Sequence, residues 1–422
     1  MISELKVYLH NILVGKLSKS IISKEIYIFQ YEENYVKQEC CKEISITLPK
    51  RIEPFVSEHK LHSFFDNLAS EGWLGEKQAN AIDKDQNDKF DLLAYFGNEL
   101  IGGLHITNDE TITKNISFDI SINAKNEDKS LNSSQRNYVS INSSSTISGV
   151  QKKLLAFQTI QGEFKIIDNQ NLSTHIVKCS SDEFSEIIEL EYLSTLAFKH
   201  LLPEDTVCEM DIIYLNELNE NVLLIKRFDR VFPLMRKHFE EFNQLLNLGT
   251  TQKYDLSYDS MAKFMYENKK RCDRTQILKL FKRILACFLI GNTDAHLKNF
   301  AMFHEDNDKL VLTPAYDLLA SSYYKEFKEI ALEINSNKKL EIQNLKAKHI
   351  VDFGMNSDGF NLDKVEILKI VESLRINKNY ALNEIQHCKY GSNDLKKKLC
   401  HNIEKRWNGI FNGIGTYMNK KK

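Results

Sequence analysis

The chain has 422 residues, which is too long for one small hydrophobic core and predicts two or three packed units. Hydrophobic residues make up 42% of the chain and aromatic residues 10%, which is enough for globular packing. Its formal net charge of −2 excludes a general attraction to polyanions such as nucleic acids. The eight cysteines contain no C-x-x-C pair and no zinc-type spacing, so we expect free thiols, buried at Cys179 and Cys287, in a reducing cytoplasm.

Residues 1–106 are predicted to form a β-rich N-terminal subdomain. Alternating apolar and polar residues predict strands at 5–17 (with a turn at His10-Asn11), 25–31 and 44–48. The other elements predicted here are a helix at 62–80 and a hairpin made by 90–95 and 100–105. Over 107–145, Asn, Ser, Asp and Lys replace the apolar periodicity, which indicates a linker or mobile segment and a domain boundary.

The rest of the chain is predicted to form two lobes, 146–230 and 231–422. The first is β-rich and has one amphipathic helix, with elements predicted at 152–178 (including a turn at 168–171), 183–200, 211–214 and 222–226. The second is mostly helical. This order is the plan of a bilobal protein-kinase-like fold of the α+β class, here preceded by the β-rich N-terminal subdomain.

The segment 291–300 carries the most informative chemical pattern. It follows an apolar stretch and places Asp294 five residues before Asn299. Protein kinases use this D-x-x-x-x-N spacing in the catalytic loop, where the Asp accepts the substrate hydroxyl proton and the Asn holds Mg²⁺. Asp317, after a short strand predicted at 310–312, supplies a second metal ligand. The three residues together predict phosphoryl transfer from Mg·ATP.

Two basic residues, His296 and Lys298, lie inside the same loop. A basic side chain at this place can neutralise a phosphoryl group during transfer, so both are predicted to be catalytic. The spacing alone also fits a simpler interpretation, in which Asp294 caps a helix and Asn299 belongs to a turn.

A kinase also needs a lysine on a strand of its first lobe and a glutamate on the next helix to hold that lysine. Lys178 ends the β-like run 174–178. Glu191 is predicted to be its partner because it lies beside the apolar Leu190 and Leu193. The alternative is that this glutamate, like its helix neighbours, is solvated.

The segment 143–153 is predicted to cover the ATP phosphates. It has one glycine, many hydroxyls and two lysines before a strand, so backbone N–H groups and lysines could cradle phosphate. The predicted ATP-binding residues are Ile147, Ser148, Gly149, Val150, Gln151 and Lys153. The hydroxyls of Thr146 and Ser148 are predicted autophosphorylation sites. A phosphate on either residue would add about two negative charges where the ATP phosphates bind, which would oppose nucleotide binding and switch the enzyme off. Serine-rich loops are also common without such a role.

Five motifs in order resemble the HipA family of toxin Ser/Thr kinases: I-S-G-V-Q-K-K (147–153), T-H-I-V-K (174–178), L-L-I-K-R-F-D-R (223–230), N-T-D-A-H-L-K-N-F (292–300) and L-T-P-A-Y-D-L-L (312–319). The first hundred residues are similar to the family's own N-terminal subdomain in V-Y-L…V-G-K-L (7–17), F-F-D-N-L-A-S-E-G-W (64–73) and D-L-L-A-Y-F-G-N-E-L-I-G (91–102). The resemblance covers essentially the whole chain.

The resemblance implies a kinase that uses ATP and Mg²⁺ to phosphorylate a serine or threonine of a protein, with aminoacyl-tRNA synthetases as the known target class and growth arrest as the result. It also implies a small helix-turn-helix antitoxin partner that brings the kinase to operator DNA. By this resemblance, the family's catalytic aspartate corresponds to Asp294, its metal ligands to Asn299 and Asp317, and its ATP-contacting lysine to Lys178. The hinge that borders the adenine falls on Lys226, Arg227 and Phe228. The regulatory phosphoacceptor falls on Thr146. Family members commonly have serine at the last position and an acidic residue at that of Lys226.

Two other functions fit parts of the pattern. A small-molecule kinase would share the loop chemistry, and growth arrest relieved by an antitoxin would argue against it. A catalytically silent regulatory subunit would use the fold only to associate with antitoxin and DNA, and would not bind Mg·ATP. The longest apolar window, 284–290, is too short to cross a bilayer, and the N-terminus does not resemble a signal peptide, so no membrane association is expected.

Overall fold

The computed structural model describes residues 3–21, 25–108, 151–159, 161–166, 172–231 and 235–420. The predicted linker beyond residue 108 and the predicted turn at 168–171 lie outside these ranges. So do five predicted residues of the phosphate loop, namely Thr146, Ile147, Ser148, Gly149 and Val150.

The N-terminal subdomain is built on an antiparallel sheet whose described strands have the order β4-β3-β2-β1-β5. They are β1 (Glu4–Leu9), β2 (Ile12–Ile21), β3 (Glu25–Tyr31), β4 (Phe55–Glu58) and β5 (Leu104–Thr107). The predicted turn between the first two strands is present. Its residues His10 and Asn11 both have positive φ, as a two-residue hairpin with a type I′ turn requires.

Helices pack on one face of this sheet: α1 (Glu33–Val36), α2 (Ser63–Asp66), α3 (Gly72–Ala81) and α4 (Lys89–Phe96). Three predictions are wrong here. Residues 62–80 form two separate helices, α2 and α3, rather than one. Residues 90–95 are helical rather than a hairpin strand, because Asp88 caps the helix and Phe90, Leu92, Leu93 and Ala94 are all buried, so no alternation operates. Residues 44–48 form a tight turn, closed by a bridge between Ser45 and Leu48.

The first kinase-like lobe contains a second antiparallel sheet of order β7-β6-β8-β10-β9, counted over the described residues. Its strands are β6 (Lys153–Gln158), β7 (Phe164–Ile166), β8 (His175–Lys178), β9 (Met210–Leu215) and β10 (Glu220–Lys226). The predicted helix of this lobe, α5 (Ile187–Leu201), begins four residues later than predicted, after Glu186 in a left-handed conformation.

The second lobe is mostly helical. Its short strands are β11 (Arg230–Val231), β12 (Met235–Arg236), β13 (Phe239–Glu241), β14 (Ala301–His304) and β15 (Leu310–Leu312). Its helices are α6 (Phe242–Leu245), α7 (Tyr258–Glu267), α8 (Arg274–Ile290), α9 (Ala347–Met355), α10 (Lys364–His387), α11 (Asn393–Arg406) and α12 (Ile414–Lys420). The predicted α+β architecture, β-rich first and helical later, is confirmed.

The largest hydrophobic core joins α5 to the helices of the second lobe, and α8 is buried at its centre. All eight cysteines lie in the described ranges as free thiols, with Cys179 and Cys287 buried as expected. No helix in the described part of the chain combines the length and apolar character that crossing a membrane requires.

Candidate active site

The catalytic-loop segment begins where α8 ends. Gly291 has φ +88°, and its N–H and that of Asn292 both donate to the Cys287 carbonyl at 2.9 Å, which closes the helix. Asp294 follows three residues later and lies in the cleft between the lobes. Its Oδ1 accepts a hydrogen bond of 2.8 Å from the Tyr254 hydroxyl. Burial raises the pKa of Asp294 to about 6, although the Tyr254 hydrogen bond opposes the shift.

The hairpin of β14 and β15 brings the two predicted metal ligands together. Asn299 comes just before β14 and Asp317 comes five residues after β15. The Asn299 Nδ2 donates to Asp317 Oδ2 at 2.8 Å, and the Asn292 Nδ2 donates to the Asp317 carbonyl at 3.3 Å. Asp317 has φ +56°, an uncommon conformation for a non-glycine residue.

Lys178 links the two lobes through this aspartate. Its Nζ lies 2.5 Å from Glu191 Oε1 on α5 and 2.5 Å from Asp317 Oδ1. Burial opposes the charge of Lys178, but the two carboxylates outweigh burial and raise its pKa. The pKa of Asp317 is well below its usual range, because Lys153 and Lys178 outweigh the effect of burial. The structure therefore joins residues that are 139 positions apart in the chain.

A cleft lies in front of the ion triad formed by Lys178, Glu191 and Asp317. Its lining residues come from both lobes and are Gln151, Lys153, Glu191, Asn292, Asp294, Asn299, Asp317 and Leu319. Lys153 forms no ion pair with any described carboxylate, and burial lowers its pKa. This half-buried amine lies near Asp317 and within the cleft, at a position suited to an anionic ligand.

The two basic residues of the loop differ in their surroundings. His296 is buried, and neither ring nitrogen has a hydrogen-bond partner among the described residues. Burial lowers its pKa to about 3, so its imidazole is neutral. Lys298 instead forms ion pairs with Glu71, from the N-terminal subdomain, and with Glu241 at 3.6 Å. Its charge is therefore already neutralised, mainly by Glu71, because burial raises the pKa of Glu241 to about 7.

The predicted hinge residues also have separate environments. Lys226 is exposed and pairs with Glu209 at 2.9 Å. Phe228 packs in a cluster with Phe239, Phe303 and Tyr316.

Arg227 is buried in an ion network that reaches the N-terminal subdomain. It donates to Glu99 at 2.8 Å, to Asp229 at 2.7 Å and to the Leu100 carbonyl at 3.0 Å. Arg230 joins the same two carboxylates. The Arg227 side chain therefore anchors the N-terminal subdomain and does not face the cleft.

Three residues near the catalytic loop had no signal in the sequence: Glu71, Lys253 and Tyr254. Lys253 lies 3.7 Å from Glu71, and its positive charge acts on Asp294 and His296. Tyr254 contacts the His296 ring edge to face, with centroids 5.1 Å apart, besides its bond to Asp294. Glu71 falls inside the family-like motif at 64–73, but nothing in that motif indicates a partner so far along the chain.

A second cluster of potential metal ligands, His238, Glu240 and His304, lies outside the cleft, with ligand atoms within 4.8 Å of one another. Its atoms are engaged in hydrogen bonds. His304 Nε2 lies 2.8 Å from Glu240 Oε1, Ser45 donates to Glu240 Oε2 at 2.6 Å, and His238 Nε2 lies 2.9 Å from the Ile44 carbonyl. The cluster is a hydrogen-bonded junction with the N-terminal subdomain.

Comparisons with known proteins agree with this architecture. Two family models match the chain, the HipA N-terminal domain over residues 5–107 and the HipA-like C-terminal domain over 145–379. Among curated relatives, "Putative kinase Y4dM" of Sinorhizobium fredii is 26% identical over 344 residues, which are 76% of this chain and 80% of that protein. A "Putative kinase" of Haemophilus influenzae is 27% identical over 254 residues, covering 57% and 70% of the two chains.

Among solved structures, a chain from the Shewanella oneidensis complex of the toxin-antitoxin system HipA, HipB and operator DNA is similar with a TM-score of 0.76. At 19% identity, the likeness covers 97% of this chain and 99% of that chain and shows a shared fold. The family models together cover the sheet of the N-terminal subdomain, the ion triad and the catalytic loop, and the chain therefore belongs to the HipA family.

Proposed function

We propose that this protein is a toxin Ser/Thr protein kinase that transfers the ATP γ-phosphate to a translation-related protein, with an aminoacyl-tRNA synthetase as the expected target. The observation that carries the proposal is the arrangement of Lys178 between Glu191 and Asp317, with Asn299 on the second oxygen of Asp317 and Asp294 in the same cleft. Protein kinases need each of these groups, in these relative places, for phosphoryl transfer.

The nucleotide would bind through its phosphates. Lys178 and Lys153 offer two ammonium groups, and the Asp317 carboxylate and the Asn299 side-chain oxygen offer the hard oxygen ligands that Mg²⁺ prefers. A Mg²⁺ ion held by Asp317 and Asn299 would supply positive charge to offset the negative charge that develops during transfer. The ammonium group of Lys153 and the oxygen donors, which line one cleft, fit Mg·ATP in chemical type.

Asp294 would orient the acceptor hydroxyl and take up its proton. With a pKa of about 6 it is mostly ionised at pH 7 to 8 and is a better proton acceptor than an ordinary aspartate. The neutral His296, buried without a partner, can donate one N–H to an oxygen of the transferred phosphoryl group. Lys298 would act on the loop through its carboxylate partners.

Partner binding and regulation follow from the family. The similar Shewanella protein was solved with HipB and operator DNA, which supports a helix-turn-helix antitoxin as partner here and DNA contact through that antitoxin. Autophosphorylation at Thr146 or Ser148 would switch the enzyme off. Gln151 and Lys153, a few residues further along the chain, line the cleft that ATP would occupy, which supports this proposal.

The test is to incubate the purified chain with Mg·ATP, alone and with candidate synthetases, and to map phosphorylated residues by intact and peptide mass spectrometry. Asp294→Asn is the inactive variant, and Asp306→Asn, at a fully exposed aspartate, is the matched control. We expect phosphate on protein with the wild type and the control, and none with Asp294→Asn. Phosphate on small molecules alone would identify a small-molecule kinase. Failure to bind Mg·ATP would identify a regulatory subunit.

A further inference from the structure

The Arg406 side chain extends from the C-terminal helices to the residues that precede the predicted catalytic loop. This arginine is the last residue of α11, beyond the range 145–379 matched by the HipA-like C-terminal family model. A π-helical turn, Trp407–Phe411, follows it, and Trp407, Ile410 and Phe411 are buried in the same core as α8. Arg406 therefore extends from a firmly packed part of the lobe.

The guanidinium lies at the C-terminal end of α8. Its Nη1 donates to the carbonyls of Leu289 at 3.3 Å and Ile290 at 3.1 Å. The last carbonyls of a helix lack partners within the helix and carry its partial negative charge. Arg406 satisfies two of them, at a point four residues before Asp294.

The same guanidinium also holds the turn that follows Asp317. Its Nη2 donates to Ser322 Oγ at 2.6 Å, and Ser322 Oγ donates in turn to the Gly291 carbonyl at 2.7 Å. The neighbouring Ser321 Oγ accepts from the Thr293 N–H at 2.8 Å. The turn at 321–323 is thus bonded to the residues on both sides of Asn292, and it lies just after the metal ligand Asp317.

Two further observations concern the surroundings of the Arg406 guanidinium. A Cβ added at Gly291 would lie 2.3 Å from both Arg406 Nη2 and Ser322 Oγ, so the glycine is needed for the guanidinium as well as for its φ of +88°. Arg406 forms no ion pair with any carboxylate of the described residues, and burial lowers its pKa to about 10. Its compensation comes from helix carbonyls and a hydroxyl, which is unusual for a desolvated arginine.

We propose that Arg406 is a positioning residue of the kinase reaction, which fixes the end of α8 and the turn at 321–323 so that Asp294 and Asp317 keep their relative positions. The inference rests on the proposed kinase function for its kinetic test. It makes the C-terminal helices part of the catalytic machinery, because they hold the loop that carries the proton acceptor.

The experiment compares Arg406→Met, Arg406→Lys and Ser322→Ala with the wild type. The matched control is Arg375→Met, at an exposed arginine that pairs with Glu372 on the surface of α10. Small displacements of reacting groups are costly, so kcat should fall at least about tenfold in Arg406→Met. The KM for ATP should change by less than about threefold, because Lys153 and Lys178 stay in place. Arg406→Lys should recover part of kcat, since an ammonium can bond the helix end but cannot also span to Ser322.

Amide hydrogen exchange over 288–296 gives a readout that does not need activity, and it should be faster in Arg406→Met and Ser322→Ala but not in the control. A kcat within about twofold of the wild type in folded Arg406→Met would overturn the proposal, and so would a loss of protection spread evenly over the chain. If Arg406→Met does not fold, Ser322→Ala decides, and unchanged kcat and exchange in that variant would overturn the proposal. If the wild type phosphorylates nothing, the proposed kinase function is wrong. Hydrogen exchange alone then tests whether Arg406 fixes the end of α8 and the turn at 321–323.

Discussion

Replacing Tyr254 with phenylalanine should move the acid limb of the pH–rate profile toward neutral pH. The Tyr254 hydroxyl donates to the Asp294 carboxylate at 2.8 Å and stabilises its charged form, so it holds the pKa of Asp294 below the value that burial alone would give. Removing the hydroxyl leaves the carboxylate buried with one donor fewer. The pKa of Asp294 must then rise, and a larger share of the enzyme will be protonated at mildly acidic pH.

The size of the shift follows from the energy of one charged hydrogen bond. Such bonds contribute about 1.5–3 kcal/mol, and this one is partly buried, so we take the lower end. Since 1.36 kcal/mol corresponds to one pKa unit, the pKa of Asp294 should rise from about 6 to about 7. At pH 6 the ionised fraction would fall from about half to about a tenth, which predicts roughly a fivefold slower reaction. At pH 8.5 both enzymes would be ionised and their rates similar.

The assay is kcat/KM for ATP from pH 5 to pH 9, because this parameter reports ionisations of the free enzyme. ATP titrates equally in both assays, so the difference between the two profiles isolates the enzyme group. Tyr380→Phe, at an exposed tyrosine, is the control and should leave the profile unchanged. An acid limb at the same pH in Tyr254→Phe and wild type would refute Asp294 as the titrating proton acceptor.

Two further predictions concern stability. Asp294→Asn should abolish phosphorylation and yet stabilise the fold above pH 6, because a pKa raised from 3.8 to about 6 means that the ionised carboxylate costs roughly 3 kcal/mol in the folded state. The cost is full above the folded-state pKa and absent below pH 3.8. The gain in melting temperature from Asp294→Asn should therefore shrink as the pH falls from 7.5 to 4.5. An equal gain at these two pH values would contradict the raised pKa of Asp294. Glu99→Gln should lower the unfolding free energy by about 3 kcal/mol, because Glu99 is the carboxylate that pairs with all three arginines of the network, and Asp229 pairs with only two of them. Urea denaturation measures this loss of unfolding free energy. Glu372→Gln, at an exposed glutamate, is the control. Equal denaturation midpoints for the two variants would show that the Glu99 network is energetically unimportant.

The residues that the sequence indicated share a local signal. Asp294 and Asn299 are recognisable because their spacing lies within one loop, and Asp317 follows them across one hairpin. Lys178 and Glu191 could be matched because one ends a strand and the other lies on a helix with a clear apolar face. Periodicity and short spacings report what one element or one turn brings together.

The residues that the sequence did not indicate depend on long-range packing. Lys298 and Glu71 are 227 positions apart, and Tyr254 is 40 positions before Asp294, so no periodic pattern links them. The helix α4 was taken for a strand because its apolar residues are buried all round, and a short apolar run does not distinguish the two structures. The long-range contacts and the secondary structure of α4 both depend on tertiary packing, which leaves little trace in the local sequence.

Long-range ion pairs connect the N-terminal subdomain to the rest of the chain. Glu99 neutralises Arg227 and Arg230 beside the hinge, and Glu71 neutralises Lys298 inside the catalytic loop. Each is a largely desolvated ion pair, and removing one partner of such a pair costs far more than the pair contributes to stability. Separation of the subdomain would leave four cations without these partners: Arg227, Arg230 and Arg236 around Glu99, and Lys298 in the loop that holds Asp294. Charge therefore couples the subdomain to the loop that holds Asp294, the proposed proton acceptor.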